Sequence, residues 1–164
     1  MREIKFRAKG IEENDKDRWY FGSYYKTDDT TYCFKEDYDR NPDNTKHYIL
    51  FDEMTDWCLP NRKLRADIDI NTLGQYTGLK DKNGKEIYEG DIIGKIVNNK
   101  KHLGIVKYGM FNCSCCDGVY GWYIESTSYY VDIRNLEDDG DTPIELEVFG
   151  NIYENPELLE VKDE

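Results

Sequence analysis

Residues 81–97 read Asp-Lys-Asn-Gly-Lys-Glu-Ile-Tyr-Glu-Gly-Asp-Ile-Ile-Gly-Lys-Ile-Val. Asn83-Gly84 is the strongest short-range signal for a β-hairpin, because both residues tolerate the positive φ angles that a two-residue turn requires. The β-branched and aromatic residues that follow the turn are typical of strands. This stretch therefore predicts a tight turn that leads into β-structure.

Four further segments with strand-type composition follow towards the C terminus, at residues 104–108, 121–125, 129–133 and 144–153. Short strands at this spacing predict a small barrel. After the last of them, Asn155 precedes Pro156 and an acidic first turn, which is the usual start of a helix. We therefore predict a domain over residues 69–164, with a helical turn near its start and a short C-terminal helix.

The N-terminal part also carries strand patterns. Ile4, Phe6 and Ala8 alternate with basic residues, and alternation with a period of two indicates a strand with one buried face. Aromatic-rich runs follow at residues 19–25 and 31–34. Residues 35–46 hold few apolar side chains and predict a mobile loop. We expect a β-rich lobe over residues 1–68.

Charge and composition exclude several classes of protein. The chain has 34 acidic and 22 basic side chains, a net charge of -12. Such a surface repels phosphate backbones wherever no local basic patch intervenes, so direct nucleic-acid binding is disfavoured. No apolar run has the roughly 18 residues of a membrane span, and the N terminus lacks a signal-peptide core. We expect a cytoplasmic protein that does not associate with membranes.

The cysteines form the first candidate site. Cys113, Cys115 and Cys116 lie within four residues, and His102 precedes them. Zinc requires four such ligands, but the spacing supplies only half of a usual zinc knuckle, through Cys113 and Cys116. Three interpretations stay open: free thiols in a loop, which the spacing favours, a zinc site, or a redox switch. No other cofactor is indicated.

Aromatic residues form the second candidate site. The chain has 14 tyrosines and three tryptophans, more than a small sheet core needs. Tyrosine and tryptophan are the residues that most often anchor interfaces. Such aromatics either pack the two lobes together or form a binding surface. The candidate binding residues are Trp19, Tyr20, Tyr120, Trp122 and Tyr123.

Three blocks of the chain, residues 1–7, 74–92 and 149–159, closely resemble the YopX family. The resemblance implies an origin in phages and prophages of Gram-positive bacteria, an SH3-like barrel, and no established activity or catalytic residues. Together with the patterns above, it predicts a mostly β protein. We expect a small SH3-like barrel in the C-terminal half, an additional β-rich N-terminal lobe, and short helical turns.

No catalytic residues are predicted, since neither phosphate-binding glycine loops nor nucleophile motifs occur. We therefore expect a non-enzymatic phage or prophage accessory protein that binds a host protein or its own copies. One variant is an acidic inhibitor of a host defence or nucleic-acid-binding protein, with clusters such as 52–56 and 137–141 replacing phosphates. One alternative is a binder of a small nucleotide-like ligand, using the basic stretch 80–107. Another is a metal-dependent hydrolase with Glu89 and Asp91 as its carboxylates.

Overall fold

The computed structural model describes residues 3–13, 16, 18–28, 32–40, 45–97, 100–113, 116–126, 130–132 and 146–159. The chain forms two compact units, Ile4–Gln75 and the residues from Tyr76 onwards. The predicted domain boundary between residues 68 and 69 stays a prediction. A division into compact units does not show which parts of the chain fold as independent domains. Among the described residues, no helix is long and apolar enough to span a membrane.

The first unit is built on an antiparallel sheet in the order β4-β3-β2-β1-β5. Its strands are β1 (Phe6–Lys9), β2 (Trp19–Asp28), β3 (Thr45–Glu53), β4 (Arg62–Asp67) and the start of β5 (Gly74–Lys80). Beyond β4, Ile68 forms a bridge with Gly10, and the N–H of Asp69 donates to the carbonyl of Lys9 at 2.8 Å. The sheet therefore curls until its first and fourth strands meet.

The core of this unit lies on the inner side of the curled sheet. Its buried members are Ala8, Tyr20, Ile49 and Ile68. They occupy alternate strand positions, in line with the period-two pattern of Phe6 and Ala8, but Arg7 and Tyr48 on the other side of the sheet are also buried and Ile4 is exposed. Between Ile68 and β5, a 3-10 turn at Ile70–Thr72 begins with the Asp69 carboxylate, which accepts the N–H of Asn71 at 3.0 Å.

Residues 35–40 differ from the loop that composition predicts, because they form a short helix, α1 (Lys35–Arg40). The N–H groups of Asp37 and Tyr38 donate to the carbonyl of Phe34, and Lys35 pairs with Asp39 at 2.8 Å one turn later. No residue of α1 is buried. Local hydrogen bonds and charge pairs, rather than apolar burial, therefore account for this helix.

The second unit holds the rest of β5, which pairs with β6 (Glu86–Tyr88), and a five-stranded antiparallel sheet. The sheet order is β10-β9-β8-β7-β11. These strands are β7 (Asp91–Val97), β8 (Lys100–Cys113), β9 (Cys116–Glu125), β10 (Tyr130–Asp132) and β11 (Glu147–Asn151). A 3-10 turn at Pro156–Leu159 occupies the position of the expected C-terminal helix.

The mostly β fold class is confirmed. The described strands of the second unit do not close into a barrel, so the SH3-like description applies to it only loosely. Its core lies on one face of the sheet and beside β6. The buried members of this core are Ile87, Ile93, Val106, Trp122, Ile124, Leu146 and Val148.

A tight turn forms at the predicted place, but Gly84 has a positive φ, 81°, and Asn83 does not, so it differs from the two-residue turn in which both residues do. The buried carboxylate of Asp81 organises it: Oδ1 accepts the N–H groups of Asn83 and Lys85 at 2.8 and 2.9 Å. Oδ2 accepts the N–H of Val148 at 3.1 Å and so ties the turn to β11. Burial alone would raise the pKa of Asp81, but these three hydrogen bonds and the charge of Lys85 outweigh it and lower the pKa.

Candidate functional site

The structure separates the five predicted binding aromatics. In the first unit, Trp19 is half-buried and Tyr20 belongs to the core. In the second unit, Trp122 belongs to the core, Tyr123 is half-buried, and Tyr120 is exposed. Since β9 alternates its faces, Tyr120 and Trp122 share one face and Tyr123 lies on the other. Of the five, Tyr120 is the residue best placed to touch a partner.

Tyr120 belongs to a cluster of exposed apolar side chains, which we call the β8–β9 patch and define as Tyr108, Met110 and Tyr120. Their exposed fractions are 50%, 71% and 68%. Met110 lies directly opposite Tyr120 in the strand register. The rings of Tyr108 and Tyr120 meet edge to face, with centroids 5.3 Å apart. The patch is therefore contiguous across two strands.

The position of the patch follows from the length of β8 and β9. On the same face, Val106 and Ile124 are buried in the core. Trp122 is the last core residue in this direction, and its ring centroid is 4.8 Å from that of Tyr108. The two strands continue past it, so the next residues of the face, including Met110, have no core to cover them. Sequence reasoning missed Tyr108 and Met110, although their alternation with Val106 was a usable signal.

On the opposite face of the same strands, Tyr123 has a packing role. Its ring stacks on buried Phe111, with centroids 5.0 Å apart and an angle of 27° between the rings. Beside it, Lys107 pairs with Glu125. Tyr123 therefore supports the sheet rather than the β8–β9 patch.

The strand geometry limits which residues could share a zinc site with Cys113 and Cys116. Cys113 and Cys116 pair across the turn between β8 and β9, while Cys115 and the side chains of both partners lie outside the described residues. His102 is exposed on β8, eleven residues from Cys113, which a strand rise of about 3.3 Å per residue converts to roughly 36 Å. The described residues hold no group of three ligands for a metal ion, and Cys33 and Cys58 are exposed free thiols. A zinc site at 113–116 stays a prediction, and such a site would need ligands other than His102.

A cavity in the first unit tests the idea of a small ligand. Its volume is about 200 Å³, smaller than the roughly 300 to 1,000 Å³ of typical small-molecule sites. Two basic and three acidic residues are among those that line it, which favours no single ligand charge. The lining residues are Glu12, Arg18, Tyr20, Phe51, Glu53, Leu64, Arg65, Ala66 and Asp67.

The basic stretch 80–107, which the nucleotide alternative invokes, is partly neutralised. Lys82 pairs with Glu147 at 2.6 Å, and Lys107 pairs with Glu125. These two lysines are therefore engaged within the chain, and the stretch offers an anionic ligand less charge than the sequence suggests.

The carboxylates of the hydrolase alternative are not arranged for catalysis. Asp91 is almost fully buried, and its Oδ2 accepts the N–H of Tyr88 at 2.8 Å. It therefore fixes the turn between β6 and β7, where Glu89 is half-buried. Because the Asp91 carboxylate is buried in this turn, it does not reach a substrate. Only Glu89 then remains of the two carboxylates that the hydrolase alternative requires.

Two of the three carboxylates in the first cluster of the acidic-mimic variant form ion pairs. Asp52 pairs with Lys63 at 2.7 Å, and Glu53 pairs with Arg62 at 2.7 Å. Both carboxylates are therefore charge-compensated along the β3–β4 hairpin. The second cluster, residues 137–141, lies outside the described residues.

Comparison with known proteins gives a family and one structural likeness to report. A family model described as YopX protein matches residues 5–160. The solved structure entitled "Crystal structure of protein EF1440 from Enterococcus faecalis" shares 24% identity, covers 98% of this chain and 100% of that chain, and has a TM-score of 0.48. No curated protein matches the chain significantly.

Proposed function

The chain belongs to the YopX protein family, and on that premise we propose that it is a non-enzymatic accessory protein of phage or prophage origin that acts by binding a host protein. Such a protein would act in the cytoplasm of its host bacterium. The observation that carries the proposal is the β8–β9 patch. Its three apolar side chains are at least half exposed and contiguous.

The composition of the patch favours a protein partner. Tyrosine and methionine are enriched in interfaces, where their large apolar surfaces lose contact with water. Trp122 beneath Tyr108 provides a rigid base, since it is buried in the core of the sheet. A rigid aromatic surface loses little conformational entropy when a partner binds. These features support protein recognition over the nucleotide and hydrolase alternatives.

The test compares three proteins in capture from a host lysate: the wild type, a double variant with Met110→Ser and Tyr120→Ser, and the control Ile96→Ser. Ile96 is exposed on β7 and lies on the opposite face of the same sheet by strand alternation. Tyr108 is left intact because it packs on Trp122. The captured protein is then purified and its affinity for each variant is measured by calorimetry.

We expect the double variant to bind the purified partner at least about 30-fold more weakly, since interface hot spots contribute about 2 kcal/mol or more. The control should bind as the wild type does. Equal affinity of the wild type and the double variant would refute the patch as the interface. If sedimentation shows that the wild type is a dimer and the double variant is a monomer, the patch joins copies of the chain and the host-protein proposal is wrong.

A further inference from the structure

The outer face of the first unit's sheet differs in charge from the rest of the chain. We call it the basic–aromatic face and define it by the strand positions that point away from the core of Ala8, Tyr20, Ile49 and Ile68. The register aligns Arg7 with Phe21, Ser23 with Leu50, and Leu50 with Arg65 on this face. Its side chains in β1 to β4 and just before β1 are those of residues 5, 7, 9, 19, 21, 23, 25, 27, 46, 48, 50, 52, 63, 65 and 67.

Basic residues dominate this face. Among its described members, six are basic and two are acidic, Asp52 and Asp67. The six basic residues are Lys5, Arg7, Lys9, Lys46, Lys63 and Arg65, of which Arg7 is buried and the other five are at least partly exposed. By contrast, the chain as a whole has a net charge of -12. The face is therefore the kind of local basic patch that overrides a global negative charge for a polyanion.

A row of exposed apolar side chains runs through the middle of the face. Phe21 and Tyr25 lie four residues apart on β2, roughly 13 Å by the strand rise, with Leu50 beside Ser23 between them. All three apolar side chains are exposed. Basic residues of β1 lie on one side of this row, and those of β3 and β4 lie on the other.

Four of the basic groups lie over aromatic rings. Lys5 Nζ is 6.0 Å from the ring centroid of Phe21, and the guanidinium of Arg7 is 4.9 Å from that of Trp19. Lys9 Nζ is 5.5 Å from the Trp19 centroid, and the Arg65 guanidinium is 4.7 Å from that of Tyr48. These contacts hold positive charge directly beside π-faces. They show that the charges and the rings lie on the same side of the sheet, where Arg7 and Tyr48 are themselves buried.

We infer that the basic–aromatic face binds single-stranded nucleic acid, with Phe21 and Tyr25 stacking on bases and the flanking lysines and Arg65 contacting phosphates. Proteins that bind single strands without sequence preference combine these two elements, a stacking platform and a basic groove. An acidic peptide would satisfy the cations but would leave the exposed rings without stacking partners. The inference concerns a different surface from the β8–β9 patch and does not rest on the proposed function.

The test is fluorescence anisotropy of a labelled oligothymidylate of about 20 nucleotides at about 50 mM salt, titrated with the full chain. The variants are Phe21→Ser, Tyr25→Ser and the conservative Tyr25→Trp. The matched control is Tyr38→Ser, because Tyr38 on α1 is 51% exposed and Tyr25 is 50% exposed. Circular dichroism of each variant checks that the fold is kept.

We expect each serine variant of the face to bind roughly tenfold more weakly, since stacking contributes about 1 to 3 kcal/mol per base. Tyr25→Trp and Tyr38→Ser should bind as the wild type does. Without the buried Arg7, five basic and two acidic residues give the face a net three positive charges, so log K should fall with log salt at a slope of about -2. Absence of binding, equal binding by all variants, or equal displacement by poly-glutamate would overturn the inference.

Discussion

Replacement of Asp81 by asparagine tests how the Asn-Gly turn is held to the sheet. The two carboxylate oxygens accept three N–H groups, from Asn83, Lys85 and Val148. Asparagine has one carbonyl oxygen, so its amide group must face at least one of these donors. Losing a buried hydrogen bond to a charged group costs about 1.5 to 3 kcal/mol, and an unsatisfied N–H adds to that. We expect a loss of about 3 kcal/mol.

The assay is urea unfolding at pH 7, followed by tryptophan fluorescence, since Trp122 lies in the core of the same unit. The expected loss corresponds to a melting temperature about 6 to 12 °C lower for a chain of this size. Glu157→Gln is the control, because Glu157 is an exposed carboxylate of the same unit. It should change the free energy of unfolding by less than about 0.5 kcal/mol.

The pH dependence provides a second check on Asp81. The hydrogen bonds outweigh burial and lower its pKa, so the ionised carboxylate stabilises the folded state. This stabilisation is present above the ordinary aspartate pKa of about 3.9 and is lost as the pH falls through the lowered value. The difference between the wild type and Asp81→Asn should therefore narrow as the pH is lowered from about 7 towards about 2. A loss below about 1 kcal/mol at neutral pH, or a difference independent of pH, would refute this account of the turn.

Two further predictions concern the second unit. A Cβ at Gly94 would overlap the carbonyl oxygen of His102, whereas one at Gly121 would meet nothing within 4 Å. Gly94→Ala should therefore cost at least about 2 kcal/mol in urea unfolding and Gly121→Ala less than about 1, and equal costs would contradict the strand register. For the cysteines at 113–116, metal analysis of protein purified without chelator should find well under one zinc per chain. A full equivalent would contradict this prediction.

The strands and the Asn-Gly turn could be predicted because their signals are local. Alternation over residues 4–8 identifies β1, and Asn83-Gly84 identifies the turn before β6. The C-terminal strand after residue 144 is also recovered, as β11 at Glu147–Asn151. In each case the residues that decide the structure are neighbours in the sequence.

The exposed part of β8 could not be predicted in the same way. The strand pattern predicts an end at residue 108, but β8 continues to Cys113. Gly109 lies opposite Gly121 in the register, so the two glycines pair within the hairpin. How far a strand extends beyond the core depends on which residues pack around it. That information is not contained in the pattern of one segment.

The basic–aromatic face could not be predicted from the sequence for a related reason. Its six basic residues come from three separated segments, residues 5–9, β3 and β4, and the last two also contain acidic residues. Only the register of β1 to β4 collects the basic positions on one side of the sheet. The net charge of the chain sums the charged residues of every surface. It therefore disfavours nucleic-acid binding, although this one face is basic.

The central claim, that the chain binds a host protein through the β8–β9 patch, is tested most directly by photo-crosslinking in the bacterial cytoplasm. A photoreactive benzoylphenylalanine replaces Tyr120 in one protein and Ile96 in another, both at exposed positions. We predict a discrete adduct with a host protein from position 120 and none from position 96. No adduct from position 120, equal adducts from both positions, or an adduct of two 19.4 kDa chains would contradict the claim.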